Sequence, residues 1–497
     1  MRDKREESSL FLNATARKDL GKSGSSCGLG TFGNLDDPVP GKLDQNRLDW
    51  LQFWFNHYRI RFFVGADVSV VERMDRDQIR ERQWNRLREL LARAEGNPFW
   101  NKKWGAAGVE PRKLRSLDDL RLLPFTTKQE LAADQLAYPP YGTFQAGTGL
   151  AFTRMHQTSG TTGAPLRWLD TAESWAWMLS CWEQNYRMAE IRPDDRFCFP
   201  FSFGPFLGFW AAFEGAQKQG CFSLAAGGIS SSARLKLILE NRITVVCCTP
   251  TYAMRLLDTA KAEGIDLAGS SVRLLIVAGE PGGSLPTARK RIERGWGARV
   301  IDHWGMTELG PLANEVVEDP GNLYLLETEC VGEIVDPETG EPTPAGEVGE
   351  LVVTNLGRLD SPLIRYRTGD LVRGEYAPDA AGYHLLRLRG GILGRADEMV
   401  TIRGNNLFPS ALEEVLRGFD EIEEFRIELS EERAMNHLRI LVEPRKNAVV
   451  ADLPQRIVED VRDRWNFQVG VELVAEGTLP RFEMKGRRFV RIGNPSE

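Results

Sequence analysis

Several short segments carry side chains that could handle a phosphate ester, a carboxylate and a flat base. Thr158-Ser159-Gly160-Thr161-Thr162-Gly163 packs hydroxyls and glycines into one hexamer with almost nothing to bury. It suits a flexible loop that wraps polyphosphate with backbone N–H groups and hydroxyls, although an ordinary Ser/Thr/Gly surface loop reads the same way. Asp302-His303-Trp304-Gly305-Met306-Thr307-Glu308 offers an aromatic face, a hydroxyl and a carboxylate. Glu308 suits Mg2+, which prefers one or two carboxylates plus substrate oxygens. Taken alone, a Trp before a Gly is more often core and a lone Glu is usually solvated. Tyr366-Arg367-Thr368-Gly369-Asp370 places a carboxylate where it could chelate two ribose hydroxyls, and Gly394-Arg395-Ala396-Asp397 supplies a cation followed by a carboxylate. Leu479 to Arg488 is a basic loop containing Lys485, which by itself reads as a solvated tail.

These segments need elements to hold them. The middle of the chain alternates strands and helices: Ile243 to Cys248, Thr251 to Lys261, Val272 to Ala278, Pro286 to Arg294 and Ala298 to Ile301. That βαβα rhythm predicts a largely parallel sheet with helices packed on it. Ligands collect beyond the carboxyl edge of such a sheet, where Ala278-Gly279-Glu280-Pro281-Gly282 and a loop over Asp302 to Glu308 would both fall. After Pro320, short strands at Val331 to Val335, Gly349 to Thr354 and Tyr383 to Arg389 predict a small antiparallel or barrel-like unit. Beyond Gly394, a helix over Pro409 to Leu416, a strand over His437 to Val442 and a helix over Leu453 to Trp465 predict an α+β tail. Near the start, Leu48, Leu51, Trp54, Phe55 and Tyr58 recur at helical spacing after an irregular leader, and a second helix runs from Arg80 to Ala94. The expected fold class is α/β. Residues 1–77 form an N-terminal extension, 78–394 a large domain of βαβ-type subdomains plus the barrel-like unit, and 395–497 a mobile α+β domain.

Composition narrows the function classes. The chain has 497 residues, 42% of them hydrophobic, and a net charge of −7, so it can build sizeable cores and shows no nucleic-acid footprint. The charged N-terminus lacks an apolar signal region. Phe197 to Phe213 is uncharged but interrupted by Pro200, Gly204, Pro205 and Gly208, which fits a strand–turn–helix or pocket wall better than a membrane helix. Seven scattered cysteines without a CxxC pair suit free thiols in a reducing cytoplasm, with Cys247 and Cys248 as small apolar residues on a buried strand. The five histidines lack metal-ligand spacing, and a zinc site assembled from distant residues has no local support.

Taken in order, TSGTTG, HWGMTE, YRTGD, GRADEMVTIRGNNLFPSALEE and a lysine near the C-terminus resemble the adenylate-forming superfamily. Within it, the chain resembles the phenylacetate–CoA ligase family from about residue 78 to 490, including Leu123-Pro124-Phe125-Thr126-Thr127-Lys128 and Ile402 to Ser410. The resemblance implies that a carboxylate attacks the α-phosphate of MgATP, giving an acyl-adenylate, and that a thiol then displaces AMP. It implies that Thr158, Ser159, Gly160, Thr161, Thr162 and Gly163 hold the β- and γ-phosphates. Glu280, Pro281, Asp302 and Trp304 would bracket adenine, with Gly279, His303 and Gly305 also in the cofactor site. Thr307 would reach the α-phosphate, Glu308 would take Mg2+, Asp370 with Arg395 would hold ribose, and Lys485 would bridge the reacting oxygens. Asp397 sits at the position of the family's hinge.

Three departures from the family pattern stand out. Arg167 follows Ala164-Pro165-Leu166 where relatives carry a lysine beside the proline. Trp304 replaces a usual tyrosine. The segment around Phe203, Gly204, Phe206, Phe209 and Trp210 is less glycine-rich than in relatives that take phenylacetate, and with Ala226 and Gly227 it predicts a reshaped pocket for another aromatic or cyclic acid. The implied cofactors are ATP, Mg2+ and coenzyme A. Partners are a small carboxylic acid and an acceptor arriving in trans, either coenzyme A, a carrier-protein thiol or an amine. A homodimer stays open, and neither nucleic acid nor membrane is expected. A P-loop phosphotransferase is disfavoured because no Gly-x-x-x-x-Gly-Lys-Ser/Thr occurs, and a non-catalytic homologue that keeps the fold is the remaining rival.

Overall fold

Capping chemistry starts the first helix. Asp75 accepts from the Gln78 backbone N–H and Gln78 reaches back to the Asp75 N–H, a reciprocal cap worth about 1 kcal/mol. The computed structural model describes residues 73–145, 151–158, 165–376, 382–402, 405–432, 435–482, 486 and 488–492, all within one compact unit, 67–497. The expected leader and aromatic helix near residues 48–58 lie outside the described residues.

The described residues open with α1 (Arg76–Ala94), α2 (Pro98–Ala107) and α3 (Lys128–Ala137), followed by the hairpin β1 (Phe152–Gln157) and β2 (Arg167–Thr171). Then come α4 (Ala172–Met188), β3 (Arg196–Phe199), α5 (Trp210–Lys218), β4 (Phe222–Ala225), α6 (Ser231–Glu240), β5 (Val245–Cys248), α7 (Pro250–Ala262), β6 (Leu274–Ala278), α8 (Pro286–Trp296) and β7 (Arg299–Met306). Proline opens both α7 and α8, where a missing N–H costs nothing. Gly297 in the left-handed region closes α8.

Strands β4-β3-β5-β6-β7 pair in parallel. Their side chains alternate between two cores: Val245, Cys247, Leu274 and Ile276 pack with Trp182 and Tyr186 of α4, whereas Val246, Cys248, Leu275 and Val277 pack with helices α6 to α8. Strand order reverses beside β3, a switch point that opens a crevice beyond the carboxyl ends.

The antiparallel strands continue the same sheet. β8 (Gly310–Glu315), β9 (Leu323–Leu325), β10 (Cys330–Val335), β11 (Val348–Asn355), β12 (Tyr366–Glu375), β13 (Arg387–Leu388) and β14 (Gly394–Arg395) give the path β10-β11-β12-β13-β9-β8-β7, with β14 on β12. The strand expected over Tyr383 to Arg389 is therefore only two residues long, because its partner β9 is itself short. A separate core forms the C-terminal part: β15 (Val400–Ile402), β16 (Asn405–Leu407), α9 (Pro409–Arg417), β17 (Ile422–Glu432), β18 (Met435–Pro444), α10 (Leu453–Trp465), β19 (Gly470–Leu473) and β20 (Phe489–Arg491), with sheet order β19-β18-β17-β20.

Candidate active site

The turn after β6 closes tightly against β7. A Cβ on Gly282 would strike Pro250 at 2.6 Å, and one on Gly283 would strike the Asp302 carboxylate, so both glycines are needed for the backbone to pass. Ser284 donates its hydroxyl proton to Asp302 Oδ2 at 2.5 Å. Burial pushes the Asp302 carboxyl up to about 6. Behind it, Arg289 pairs with Glu315 at 2.6 Å, and Glu315 accepts from the Asp302 N–H at 3.1 Å. Gly279 and Pro281 are exposed at the rim. Glu280 accepts from the Thr251 N–H and from the Gly486 N–H, both at 2.7 Å. It thus joins the body to the segment that follows Lys485. Lys485 itself, like Ser159 to Gly163, lies outside the described residues.

Asp302 to Met306 is strand, where sequence suggested a loop. The pairing of β7 with β8, His303 opposite Asn314 and Trp304 opposite Ala313, supplies the missing order. Trp304 is buried, and its indole N–H donates to Asp370 Oδ2 at 2.8 Å. Asp370 also accepts from Arg395 Nη1 at 3.1 Å, and Arg395 Nε donates to Asp397 Oδ1 at 2.9 Å. Asp370 and Arg395 are cross-strand neighbours on β12 and β14. Gly369 has φ +75°, and a Cβ there would meet the Arg395 guanidinium at 2.6 Å. The YRTGD and GRAD segments, read separately in the sequence, are thus one cluster with the Trp304 indole.

Thr307 and Glu308 form the turn between β7 and β8. Glu308 is 3% exposed, and its carboxylate meets Tyr366 OH at 3.4 Å and Lys128 Nζ at 3.5 Å. These contacts are long for a buried carboxylate. The Thr158 hydroxyl accepts from the Leu166 N–H at 3.0 Å, and the Thr158 N–H donates to the Leu166 carbonyl at 2.9 Å. Thr158 therefore fastens the base of the glycine-rich loop. Arg167 turns away, donating to the Pro140 carbonyl at 3.0 Å. Sequence reasoning missed Lys128 as a neighbour of Glu308, and it missed Arg358, which donates to the Thr307 carbonyl at 2.6 Å.

A family model for AMP-binding enzymes matches residues 154–357, and one for the C-terminal domain of AMP-binding enzymes matches 404–491. The phenylacetate-coenzyme A ligase of Escherichia coli (strain K12) is 32% identical over 445 residues, covering 87% of this chain and 99% of that protein. The chain belongs to the adenylate-forming enzymes, in the phenylacetate–CoA ligase family. Among solved structures, 2-hydroxyisobutyryl-CoA ligase in its postadenylation state with 2-HIB-AMP is 27% identical, with a TM-score of 0.82 over 88% of this chain and 95% of that one. The same ligase with 2-HIB-AMP and CoA in the thioesterification state gives a TM-score of 0.66 at equal coverage.

Family membership also sharpens the differences. Phe203, Trp210 and Gly227 line a hollow of about 400 Å³ with Ser202, Phe213, Ala225 and Gly228, at the carboxyl ends of β3 and β4. Phe203 stands edge-on to Trp210, with ring centroids 4.8 Å apart, and the Trp210 indole N–H donates to the Gly204 carbonyl at 3.0 Å. Phe206 is half-buried and lies 3.6 Å from a Cβ placed on Gly204. Phe209 and Ala226, expected on a pocket wall, are instead core: Phe209 packs against Phe199, Phe201 and Trp182, and Ala226 against the α6–α8 layer. Among the described residues no three His, Cys, Asp or Glu side chains converge as a metal would require, so a cation at Glu308 would take its other ligands from phosphate and water. Likewise, no helix among them is long and apolar enough to cross a membrane.

His303, expected in the cofactor site, packs against Trp182 of α4 with ring centroids 4.3 Å apart. Burial pushes its imidazole down to about 3. An unfolded histidine binds its proton near pH 6.5, so between about 6.5 and 3 the unfolded state holds more protons than the folded one. This contribution to stability is complete above pH 6.5 and is lost as pH falls. Its slope is at most about 1.4 kcal/mol per pH unit. Urea midpoints taken from pH 6.5 to 4 should fall less steeply in a His303→Gln variant than in the parent, and parallel curves would rule out His303 as a source of acid sensitivity.

Proposed function

We propose that the chain activates a carboxylic acid with MgATP and passes the acyl group to coenzyme A. One acid oxygen attacks the α-phosphorus, the bond to the β-phosphate oxygen breaks, and pyrophosphate leaves. The coenzyme A sulfur, having lost its proton, then attacks the acyl carbon of the mixed anhydride and AMP departs with its phosphate oxygen. The observation that carries this reading is the convergence, in an adenylate-forming enzyme, of the Trp304–Asp370–Arg395 cluster and the Thr307–Glu308 turn at one edge of the sheet.

Each role follows from chemistry at that edge. Asp370 accepts from the ribose hydroxyls, with Arg395 paired beside it. The rim of Gly279, Glu280 and Pro281 and the strand Asp302 to Gly305 border the base, with Asp302 and Trp304 as its nearest polar and aromatic groups and His303 behind them in the core. Thr307 donates to the α-phosphate. Glu308, a buried carboxylate whose contacts among the described residues are long, would hold Mg2+, and that ion would supply charge neutralisation on the phosphates. The loop Ser159 to Gly163 holds the departing pyrophosphate, and Lys485 neutralises the oxygens between acid and α-phosphate. The domain over 395–497 turns about Asp397 between the two half-reactions.

The acid is aromatic or cyclic and larger than phenylacetate. Phe203 and Trp210 supply aromatic rings to the lining, and Gly228, with open space where a Cβ would stand, leaves room for a flat substituent. ATP–pyrophosphate exchange across a panel of carboxylic acids tests both levels of the proposal. A bulkier aromatic or cyclic acid should exceed phenylacetate by about tenfold or more, within the range a reshaped apolar pocket can give. Equal rates would overturn the acid assignment. No exchange with any acid would favour a non-catalytic homologue, and exchange without coenzyme A consumption would point to a carrier thiol or an amine.

A further inference from the structure

The turn that carries Thr307 and Glu308 is held from behind by an ion pair buried completely out of water. Arg358 follows β11, and Asp170 sits on β2, the strand that leaves the glycine-rich loop. Both side chains have 0% exposure. The guanidinium donates through Nε to Asp170 Oδ1 at 2.8 Å and through Nη2 to Oδ2 at 2.6 Å, a bidentate pair. Its remaining nitrogen, Nη1, donates to the Thr307 carbonyl at 2.6 Å and the Glu308 carbonyl at 3.0 Å. Asn355 holds the next carbonyl, Leu309, at 2.6 Å, while its own side-chain oxygen accepts from the N–H groups of Gly357 and Arg358.

Stability alone does not explain this arrangement. Taking two charges fully out of water costs as much as their attraction returns, and apolar residues of similar volume often serve a fold equally well. What an apolar pair cannot do is fix two successive carbonyls of a turn. Arginine is suited to that task, because its planar fork can hold a carboxylate with one edge and two carbonyls with the other. The β2 side is equally rigid: Ser174 donates to Asp170 Oδ1 at 2.9 Å, and Trp168, also on β2, faces the guanidinium at 5.2 Å.

We propose that Arg358 is a positioning residue that, braced by Asp170, fixes the Thr307–Glu308 turn against β2. This rests on the roles of Thr307 and Glu308 given under the proposed function. The strand leaving the loop that cradles phosphates and the turn that holds the metal then move as one body. A misplacement of about 1 Å at a reacting centre can cost 10²-fold in rate, so releasing the turn should act on the metal and phosphates and leave acid binding alone.

The test uses the full chain with the acid that gives the fastest exchange. Arg358→Met is expected to lower the maximal ATP–pyrophosphate exchange rate by about 10²-fold. It should also raise the free Mg2+ needed for half-maximal rate about fivefold or more, with the KM for the acid changed by less than about twofold. Arg358→Lys should recover only part of the loss, since an ammonium can pair with Asp170 but cannot span both carbonyls. A folded Arg358→Met with unchanged Mg2+ half-saturation, or with the acid KM rising in step with the rate loss, would overturn the proposal. If that variant does not fold, Asp170→Asn keeps the volume and should show a smaller Mg2+ shift in the same direction, and no shift there would be equally fatal. A parent protein that exchanges with no acid would instead count against the activity itself.

Discussion

Lys485→Ala is expected to slow acyl-adenylate formation by about 10²–10³-fold, while transfer from a supplied acyl-adenylate to coenzyme A stays within a few-fold of the parent. The magnitude is that of losing one preorganised group aimed at charge that grows in the transition state, about 3–4 kcal/mol. The asymmetry follows from the two steps. Adenylation brings an anionic acid against an anionic α-phosphate, whereas thiolysis occurs at a carbonyl carbon with AMP as leaving group. The residues that follow Lys485 are tied to the body: Gly486 donates to Glu280, and Arg488, paired with Glu424 of β17, donates to the Thr251 hydroxyl at 3.2 Å. Glu280 borders the same edge as Asp302. The two rates are separable by measuring pyrophosphate exchange and, independently, consumption of synthetic acyl-adenylate by coenzyme A. Equal loss in both would remove Lys485 from the adenylation chemistry and leave it a structural part.

Elements with strong periodicity were legible before any coordinates. The helix expected over Leu453 to Trp465 has those bounds, because Leu453, Ile457 and Val461 recur on one face and are all buried. The buried strand at Cys247 and Cys248 is likewise present, with both thiols pushed up by burial as inert core groups. Asp302 to Met306 falls in the loop that the sequence predicts beyond the sheet edge, yet it is strand. There β8 decides the conformation by pairing, and local composition does not reveal that partner.

The site divides along the same line. Thr307, Glu308, Asp370 and Arg395 sit in short local motifs, so residue type and spacing point to them. Arg358 and Asp170 lie 188 residues apart, and each alone reads as an ordinary surface charge. Only their joint burial shows that they hold the turn. Lys128 and Asn355 are hidden for the same reason. Phe209 errs in the other direction, since an aromatic beside a pocket motif cannot be told from an aromatic beneath it until its neighbours are known.

Glu308→Gln is the second large effect to expect: adenylation about 10²-fold slower, with part of the loss recovered by raising Mg2+. The carboxamide keeps the shape and can still accept from Tyr366, so packing around the turn should survive. What disappears is the negative charge, and a hard divalent ion bound by one or two carboxylates plus phosphate oxygens depends on that charge. Lys128, 3.5 Å away, then faces a neutral group and adds to the repulsion felt by the cation. The decisive comparison is between ATP binding without Mg2+, which should match the parent, and the Mg2+ concentration for half-maximal exchange, which should rise several-fold. Weaker binding of metal-free ATP, with no recovery at high Mg2+, would show that Glu308 shapes the turn and does not hold the ion. The Arg358 variants supply an internal contrast. They leave the carboxylate in place but release its backbone, so the Mg2+ requirement should rise in both sets.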